Sequence, residues 1–161
     1  MKKTNCTLFI LVITLLINWS CERSKNNKLI IEDKILQILN LNLEGCKSTK
    51  KNNSNTEEKI IFKTCDKYYL NINHINAVFN CSPEEIITSA EIENGKIIIN
   101  SCEKSIAANC TCQYDLDFKT GPLEYSEYTV IMNHCGSKIT EFQILFNEST
   151  NESFTINKSQ K

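Results

Sequence analysis

The sequence predicts an all-β fold: an antiparallel β-sandwich, immunoglobulin-like in architecture, with a barrel as the runner-up. The clearest observation is the stretch Cys110–Phe118, in which every second residue is a cysteine or a large apolar residue and the others are polar. This period-two alternation is typical of a strand with one buried face. A second observation is Asn94-Gly95 between two alternating runs, because both residues tolerate the positive φ of a type I′ hairpin turn.

Shorter alternating runs predict the remaining strands and bring the total to about eight. These runs are residues 60–62, 68–74, 86–93, 96–102, 128–132, 142–146 and 154–156. The segment Leu29–Leu43 is ambiguous, because some of its apolar residues fit a helical face and others alternate as in a strand. We expect a short N-terminal helix or helical turn there, followed by extended chain. Lys47–Lys59 is a polar stretch expected to be a solvated loop.

The N-terminus has the features of an export signal. Met1–Lys3 is basic, and Leu8–Ile17 is apolar apart from one threonine. This arrangement is typical of a secretory signal peptide, and the apolar run is shorter than the ~20 residues of a membrane span. Ser20-Cys21 resembles the end of a bacterial lipobox, although Asn18 stands where that motif has an aliphatic residue. We therefore expect residues 1–20 to be a lipoprotein signal peptide with Cys21 lipidated; ordinary signal cleavage and an uncleaved anchor are the alternatives.

The predicted domain organisation and location follow from this signal. Residues 21–28 are expected to tether the lipid, and residues 29–157 to form a single β-rich domain, which is an ordinary length for one. The chain is expected in the cell envelope, anchored through its lipid to a bacterial membrane, with the outer membrane favoured. The formal net charge of −1 excludes a broad basic surface, so no nucleic-acid partner is expected.

Nine cysteines are many for a chain of 161 residues, and the export signal decides how they are interpreted. Cys6 lies in the signal and Cys21 is the predicted lipidation site. The others are Cys46, Cys65, Cys81, Cys102, Cys110, Cys112 and Cys135. In an oxidising compartment these residues are expected to form disulfides, and their odd number leaves at least one thiol free or paired between chains.

Cys110 and Cys112 are expected to share one strand face and to bond to different partners. Residues two apart on an extended strand are separated by about 6.5–7 Å, at the upper limit for the Cα atoms of a disulfide. Cys46–Cys65 is one candidate pair, since it would close the polar loop and stabilise the fold by about 3 kcal/mol. The connectivity of the other cysteines stays open at this point.

Two motifs resemble those of a family of small, uncharacterised envelope lipoproteins of Gram-negative bacteria. The first is His74-Ile75-Asn76-Ala77-Val78-Phe79-Asn80-Cys81, an H-x-N-x-x-F-N-C pattern. The second is Cys110–Phe118, a C-x-C-x-Y-D-L-x-F/Y pattern, followed by Tyr128-Thr129-Val130. The resemblance spans residues 68–131 and implies export, lipidation and a β fold, without adding a catalytic residue. Because Cys81 and Cys112 belong to the two motifs, it also favours a disulfide between them.

No catalytic motif is visible in the sequence, which has no Gly-rich phosphate loop, G-x-S-x-G or H-E-x-x-H. We therefore expect a non-enzymatic binding or structural module that needs no cofactor or metal and whose partner is an envelope protein or a glycan. The alternative is a metal-binding or thiol-redox envelope protein that uses Cys81, Cys110, Cys112 and His74 as ligands. Against that alternative, His74 is expected to be a hydrogen-bonded core residue, and no C-x-x-C redox motif is present.

The lipobox interpretation predicts that Cys21→Ser abolishes membrane fractionation, because the lipid is attached through this residue. The measurement is an immunoblot of soluble and membrane fractions from cells that express either form. Cys6→Ser is the matched control and should stay in the membrane fraction. If the Cys21→Ser protein also stays there, the lipobox interpretation is wrong.

Overall fold

Strands make up most of the part of the chain that this computed structural model describes, namely residues 34–47, 57–105 and 110–156. The strands are β1 Lys34–Lys47, β2 Lys59–Asp66, β3 Tyr69–Asn80, β4 Pro83–Glu93, β5 Lys96–Ser105, β6 Thr111–Gly121, β7 Ser126–His134, β8 Ser137–Phe146 and β9 Asn151–Thr155. They form one sheet in the order β8-β7-β5-β4-β1-β6-β3-β2-β9. The all-β prediction is therefore confirmed for the described residues.

Strand β1 joins the two halves of the sheet, and it corrects the prediction for the N-terminal segment. The helix expected within Leu29–Leu43 is wrong from Lys34 onwards, and residues 29–33 lie outside the described part. The first three residues of β1 pair with β4, whereas Gln37–Lys47 pairs with β6. Backbone hydrogen bonds to two neighbouring strands therefore favour the extended conformation over the helical pattern. A bulge between Leu39 and Asn42 interrupts the pairing of β1 with β6, and Asn40 within it has a φ of 55°.

The sheet folds over on itself and is nearly closed into a barrel. Its two edge strands, β8 and β9, meet through the rings of Phe142 and Phe154, whose centroids are 4.5 Å apart. The backbone amide of Leu145 also donates to the carboxylate of Glu152 at 3.2 Å. The halves β8-β7-β5-β4 and β6-β3-β2-β9 enclose the core between them, so the predicted sandwich holds in part and the runner-up barrel describes the curvature.

The inner faces of the strands supply an apolar core. Its largest fully buried side chains are Tyr128, Phe62, Phe118, Phe146, Ile60, Leu70, Ile72, Ile92, Ile97, Ile99, Leu116 and Leu123. Burying a side chain of this kind contributes about 1.5–3 kcal/mol relative to leaving it exposed. The alternation predicted for Cys110–Phe118 is confirmed over β6, where Tyr114, Leu116 and Phe118 are buried, while Cys110 precedes the strand and is exposed.

Two turns have positive φ at both central residues, as type I′ hairpins require. The predicted Asn94-Gly95 turn is confirmed, with φ values of 50° and 74°. Cys135-Gly136 connects β7 and β8 in the same way, with φ values of 46° and 80°. Strands β5 and β7 run parallel, because the intervening β6 lies in the other half of the sheet, and their register sets Ser101 beside His134.

A bulge in β3 changes which residues point into the core. The register with β6 shifts between His74 and Ala77, and Asn76 has a φ of 59°. The Asp115 carboxylate accepts the backbone N–H of Asn76 at 2.8 Å. Before the bulge His74 faces the core, and after it Ala77 and Phe79 do. His74 and Phe79 are five residues apart, so in a regular strand they would point to opposite faces; the bulge turns both inward.

The described residues fall within one compact unit of the chain, Ile31–Lys161. No helix in the described ranges is long and apolar enough to cross a membrane. The signal at residues 1–20 and the tether at residues 21–28 lie outside the described residues, and they stay predictions.

Gly121 ends β6 where the backbone of another segment approaches closely. A Cβ atom at this position would lie 2.5 Å from the carbonyl oxygen of Tyr68 and 2.9 Å from the Tyr69 ring. We expect Gly121→Ala to lower the free energy of unfolding by about 1–3 kcal/mol, measured by chemical denaturation. Gly95→Asn is the control, because nothing lies within 4 Å there and asparagine tolerates its φ of 74°. Equal stability of the two variants would contradict the close approach at Gly121.

Candidate functional site

A cavity of about 170 Å³ lies between the two halves of the sheet. Its wall includes His74, Ala77 and Phe79 of β3, Ser101 of β5, Asn133 and His134 of β7, and Glu58, which precedes β2. The chain contains two histidines, and both line this cavity. The fold therefore brings together side chains that are far apart in sequence and that carry imidazole, carboxylate, amide and hydroxyl groups.

The inner part of the cavity holds a buried pair between His74 and Glu58. Nε2 of His74 lies 2.7 Å from Oε1 of Glu58, and the two side chains are only 4% and 7% exposed. The backbone positions Glu58, since its carbonyl oxygen accepts the N–H of Ile156 at 2.8 Å. The prediction that His74 is a hydrogen-bonded core residue is confirmed. Removing polar groups of this kind from water is costly, and the contact between them compensates part of that cost.

His134 forms a second, more open pair with Glu103. Nε2 of His134 lies 3.0 Å from Oε2 of Glu103, and the two side chains are 33% and 11% exposed. The imidazole ring stacks on Phe79 of β3, with the ring centroids 5.2 Å apart and an interplanar angle of 24°. The cavity therefore has one histidine in the closed interior and one that reaches solvent.

Further polar groups complete the wall of the cavity. The Ser101 hydroxyl is buried and lies 3.1 Å from the Thr88 hydroxyl. Within the described ranges, no donor lies in hydrogen-bond range of the buried Oδ1 of Asn133. This oxygen can accept a hydrogen bond from a ligand in the cavity, and the Phe79 ring provides an apolar surface beside it.

Sequence reasoning identified the two histidines and missed their carboxylate partners. Glu58 belongs to the polar stretch expected to be a solvated loop, and its burial corrects that expectation for this residue. Glu58, Ile60 and Phe62 are spaced two residues apart, so all three point to the same inner face. This spacing is the sequence signal that could have predicted the burial of Glu58. Glu103 gives no comparable signal, because its contact with His134 depends on the parallel pairing of β5 and β7.

Three disulfides join six of the seven cysteines outside the predicted signal and lipidation site. They are Cys46–Cys112, Cys81–Cys110 and Cys102–Cys135. Two expectations are confirmed: Cys110 and Cys112 bond to different partners, and one thiol is left over. That thiol belongs to Cys65, which is exposed.

The predicted Cys81–Cys112 pair is wrong, because the register of β3 and β6 favours another partner. Asn80 lies opposite Thr111 in that ladder, so the next residues in each direction, Cys81 and Cys110, also face each other. The backbone N–H of Cys81 donates to the carbonyl oxygen of Cys110 at 3.2 Å. The disulfide forms across this pair.

The predicted Cys46–Cys65 pair is also wrong. Cys46 lies near the end of β1, next to β6, and bonds to Cys112 there with a Cα–Cα distance of 4.8 Å. Cys65 lies near the end of β2, and both β6 and β3 separate that strand from β1 in the sheet. Sequence proximity across the polar stretch suggested a contact that the strand order does not allow.

The ligand set of the metal or redox alternative does not form a metal-competent group among the described residues. Its three cysteines, Cys81, Cys110 and Cys112, are all in disulfides, and His74 is paired with Glu58. Of the potential ligands that the structure describes, a different group has its donor atoms within 4.8 Å of one another, and it consists of Cys102, Glu103 and Cys135.

Comparisons of the chain with protein-family models, with curated proteins and with solved structures found no match.

The buried His74–Glu58 pair predicts a large effect of one substitution. His74→Leu removes the imidazole from a buried carboxylate, and we expect the free energy of unfolding to fall by about 3 kcal/mol or more. His134→Leu is the comparison variant, because its pair is more exposed and its loss should cost less than that of His74. Denaturant titration of both variants is the measurement. Equal losses would show that the His74 pair is not specially buried.

The remaining thiol predicts a distinctive pH profile. Desolvation raises the pKa of Cys65 above its ordinary value, with nearby Lys119 opposing the rise and Asp66 adding to it. Less thiolate is then present at a given pH, so alkylation by iodoacetamide should still accelerate above pH ~8.5, the ordinary thiol pKa. The measurement uses full-length protein with Cys6→Ser and Cys21→Ser, and Cys65→Ser is the control without reaction. A rate that levels off below that pH would contradict the shift.

Proposed function

We propose that this chain is an exported, lipid-anchored protein of the bacterial cell envelope that acts as a non-enzymatic binding module. The observation that carries the binding role is the cavity that both histidines line. A buried imidazole–carboxylate pair is often no more stabilising than apolar residues of similar size, so stability alone does not explain its place in the core. Polar groups converging on an apolar pocket are the usual form of a small-ligand site.

The envelope location is supported by two independent features. The basic and apolar N-terminal segment is an export signal followed by Cys21 as lipid acceptor. The described residues contain three disulfides, and disulfides persist in oxidising compartments such as the periplasm and the cell surface. The resemblance to Gram-negative envelope lipoproteins is part of the same proposal.

The size of the cavity limits what it binds. At about 170 Å³ it is smaller than the ~300–1,000 Å³ typical of sites for drug-sized molecules. We propose that it takes a small polar group with an apolar side, supplied by a free small molecule, a glycan or a side chain of an envelope protein. The apolar side would lie on Phe79, and the polar atoms would meet His134 and Asn133.

A cavity-filling variant tests the binding role. Ala77 lines the cavity and is 1% exposed, so Ala77→Leu should occupy the space that a ligand needs. We expect at least one class among small carboxylic acids, amines, monosaccharides and short peptides to raise the melting temperature of the wild-type protein and not that of Ala77→Leu. Circular dichroism checks that the variant folds, and the outward-facing Ile87→Leu is the control. If no compound stabilises the wild-type protein, the cavity is not a binding site and a structural role is favoured.

A further inference from the structure

Three potential metal ligands converge near the ends of β5 and β7, and His134 contacts one of them. The donor atoms of Cys102, Glu103 and Cys135 lie within 4.8 Å of one another. The two sulfur atoms are joined in a disulfide. Nε2 of His134 lies 3.0 Å from Oε2 of the same Glu103. Two sulfurs and one carboxylate oxygen therefore meet in one place, and the imidazole nitrogen of His134 adjoins that carboxylate.

Besides the disulfide, hydrogen bonds of the backbone N–H groups and the strand pairing hold this cluster in place. The parallel ladder sets Ser101 opposite His134. The N–H of Cys135 donates to the Ser101 carbonyl oxygen at 3.2 Å, and the N–H of Gly136 donates to Oδ1 of Asn100 at 2.7 Å. Opening the disulfide would therefore leave the two sulfur atoms close together.

We propose that reduction of the Cys102–Cys135 disulfide converts this cluster into a Zn²⁺ site. Two thiolates, one carboxylate and one imidazole are ligands that zinc accepts, at about 2.3 Å to sulfur and 2.0–2.2 Å to nitrogen and oxygen. Tetrahedral geometry with these bond lengths separates the ligand atoms by about 3.3–3.8 Å. The sulfur and carboxylate atoms already lie within 4.8 Å of one another, and opening the disulfide lets the two sulfurs separate to the distance that tetrahedral zinc requires.

The conversion is a two-electron reduction followed by metal binding. A dithiol reductant transfers two electrons and two protons to the disulfide and leaves as its own cyclic disulfide, so the S–S bond opens to two thiols. Zinc then displaces one proton from each thiol, and both protons go to water. Glu103 coordinates as the carboxylate, and His134 coordinates through Nε2 as the neutral imidazole with its hydrogen on Nδ1. Cys135 is exposed, so the reductant can reach the disulfide.

This zinc site goes beyond the proposed ligand binding and does not depend on it. The other two disulfides have no comparable neighbours, since Cys102, Glu103 and Cys135 form the metal-competent group found among the described residues. The cysteines of the metal alternative considered from the sequence take no part in it. The two sites share His134 alone, and Glu103 is outside the residues that line the cavity.

Zinc binding to reduced and oxidised protein tests the proposal. The full-length chain with Cys6→Ser and Cys21→Ser is purified in detergent and reduced with a phosphine, which takes the place of the dithiol and leaves as its oxide. We expect one zinc per chain to survive gel filtration after reduction and none before it. Cobalt in place of zinc should give the absorption of a tetrahedral site with two thiolates.

Matched variants assign the ligands. Cys102→Ser with Cys135→Ser should lose the bound zinc, whereas Cys46→Ser with Cys112→Ser removes a different disulfide and should keep it. Glu103→Gln and His134→Asn retain every cysteine, and each should weaken zinc binding by at least about tenfold.

Three results would overturn the proposal. The first is that the Cys102/Cys135 double variant binds as much zinc as the parent protein. The second is that both Glu103→Gln and His134→Asn keep the parent's affinity for zinc. The third is that the reduced parent protein binds no zinc. If the double variant does not fold, the two single variants decide the question. If no compound stabilises the protein in the Ala77 test, the ligand-binding proposal fails, and the zinc measurement still decides the metal proposal separately.

Discussion

The start of β6 is tied to both of its neighbours, and the rest of the fold depends on this constraint. Cys112 bonds to Cys46 on β1, and Cys110 bonds to Cys81 just after β3. The Tyr114 hydroxyl adds a hydrogen bond to the Cys81 carbonyl oxygen at 3.0 Å. A one-residue slip would turn every side chain of a strand to the other face, and the two disulfides oppose such a slip on both sides of β6. The buried face of β6 is thereby directed into the core.

The position of β6 determines where the cavity forms. Its register with β3 includes a bulge, and that bulge turns both His74 and Phe79 towards the interior. Across the core, the parallel pairing of β5 and β7 brings His134 to stack on Phe79. Both imidazoles meet a carboxylate, one inside the core and one near the surface. The candidate site is therefore a product of strand register: one short motif supplies His74 and Phe79, and the pairing of distant strands supplies the rest.

Local patterns predicted the elements well and their partners poorly. The alternation in β6 and the Asn94-Gly95 turn are local signals, and the structure confirms both. The helix expected before Leu43 is wrong from Lys34 onwards, because the pairing of β1 with two strands is not visible in its own sequence. Both specific disulfide predictions were wrong for the same reason: which cysteines meet depends on strand order and register. The carboxylate partners of the histidines were missed because they are joined only across strands.

Disulfides join β6 to two different neighbours, and mapping the linkages of the native protein measures this connection. Unreduced full-length protein, isolated from the envelope with its thiols blocked, would be digested and its linked peptides identified by mass spectrometry. We expect Cys46–Cys112, Cys81–Cys110 and Cys102–Cys135, with the blocking group on Cys65. Linkage of Cys81 to Cys112, or of Cys46 to Cys65, would contradict the register on which the core and the cavity depend.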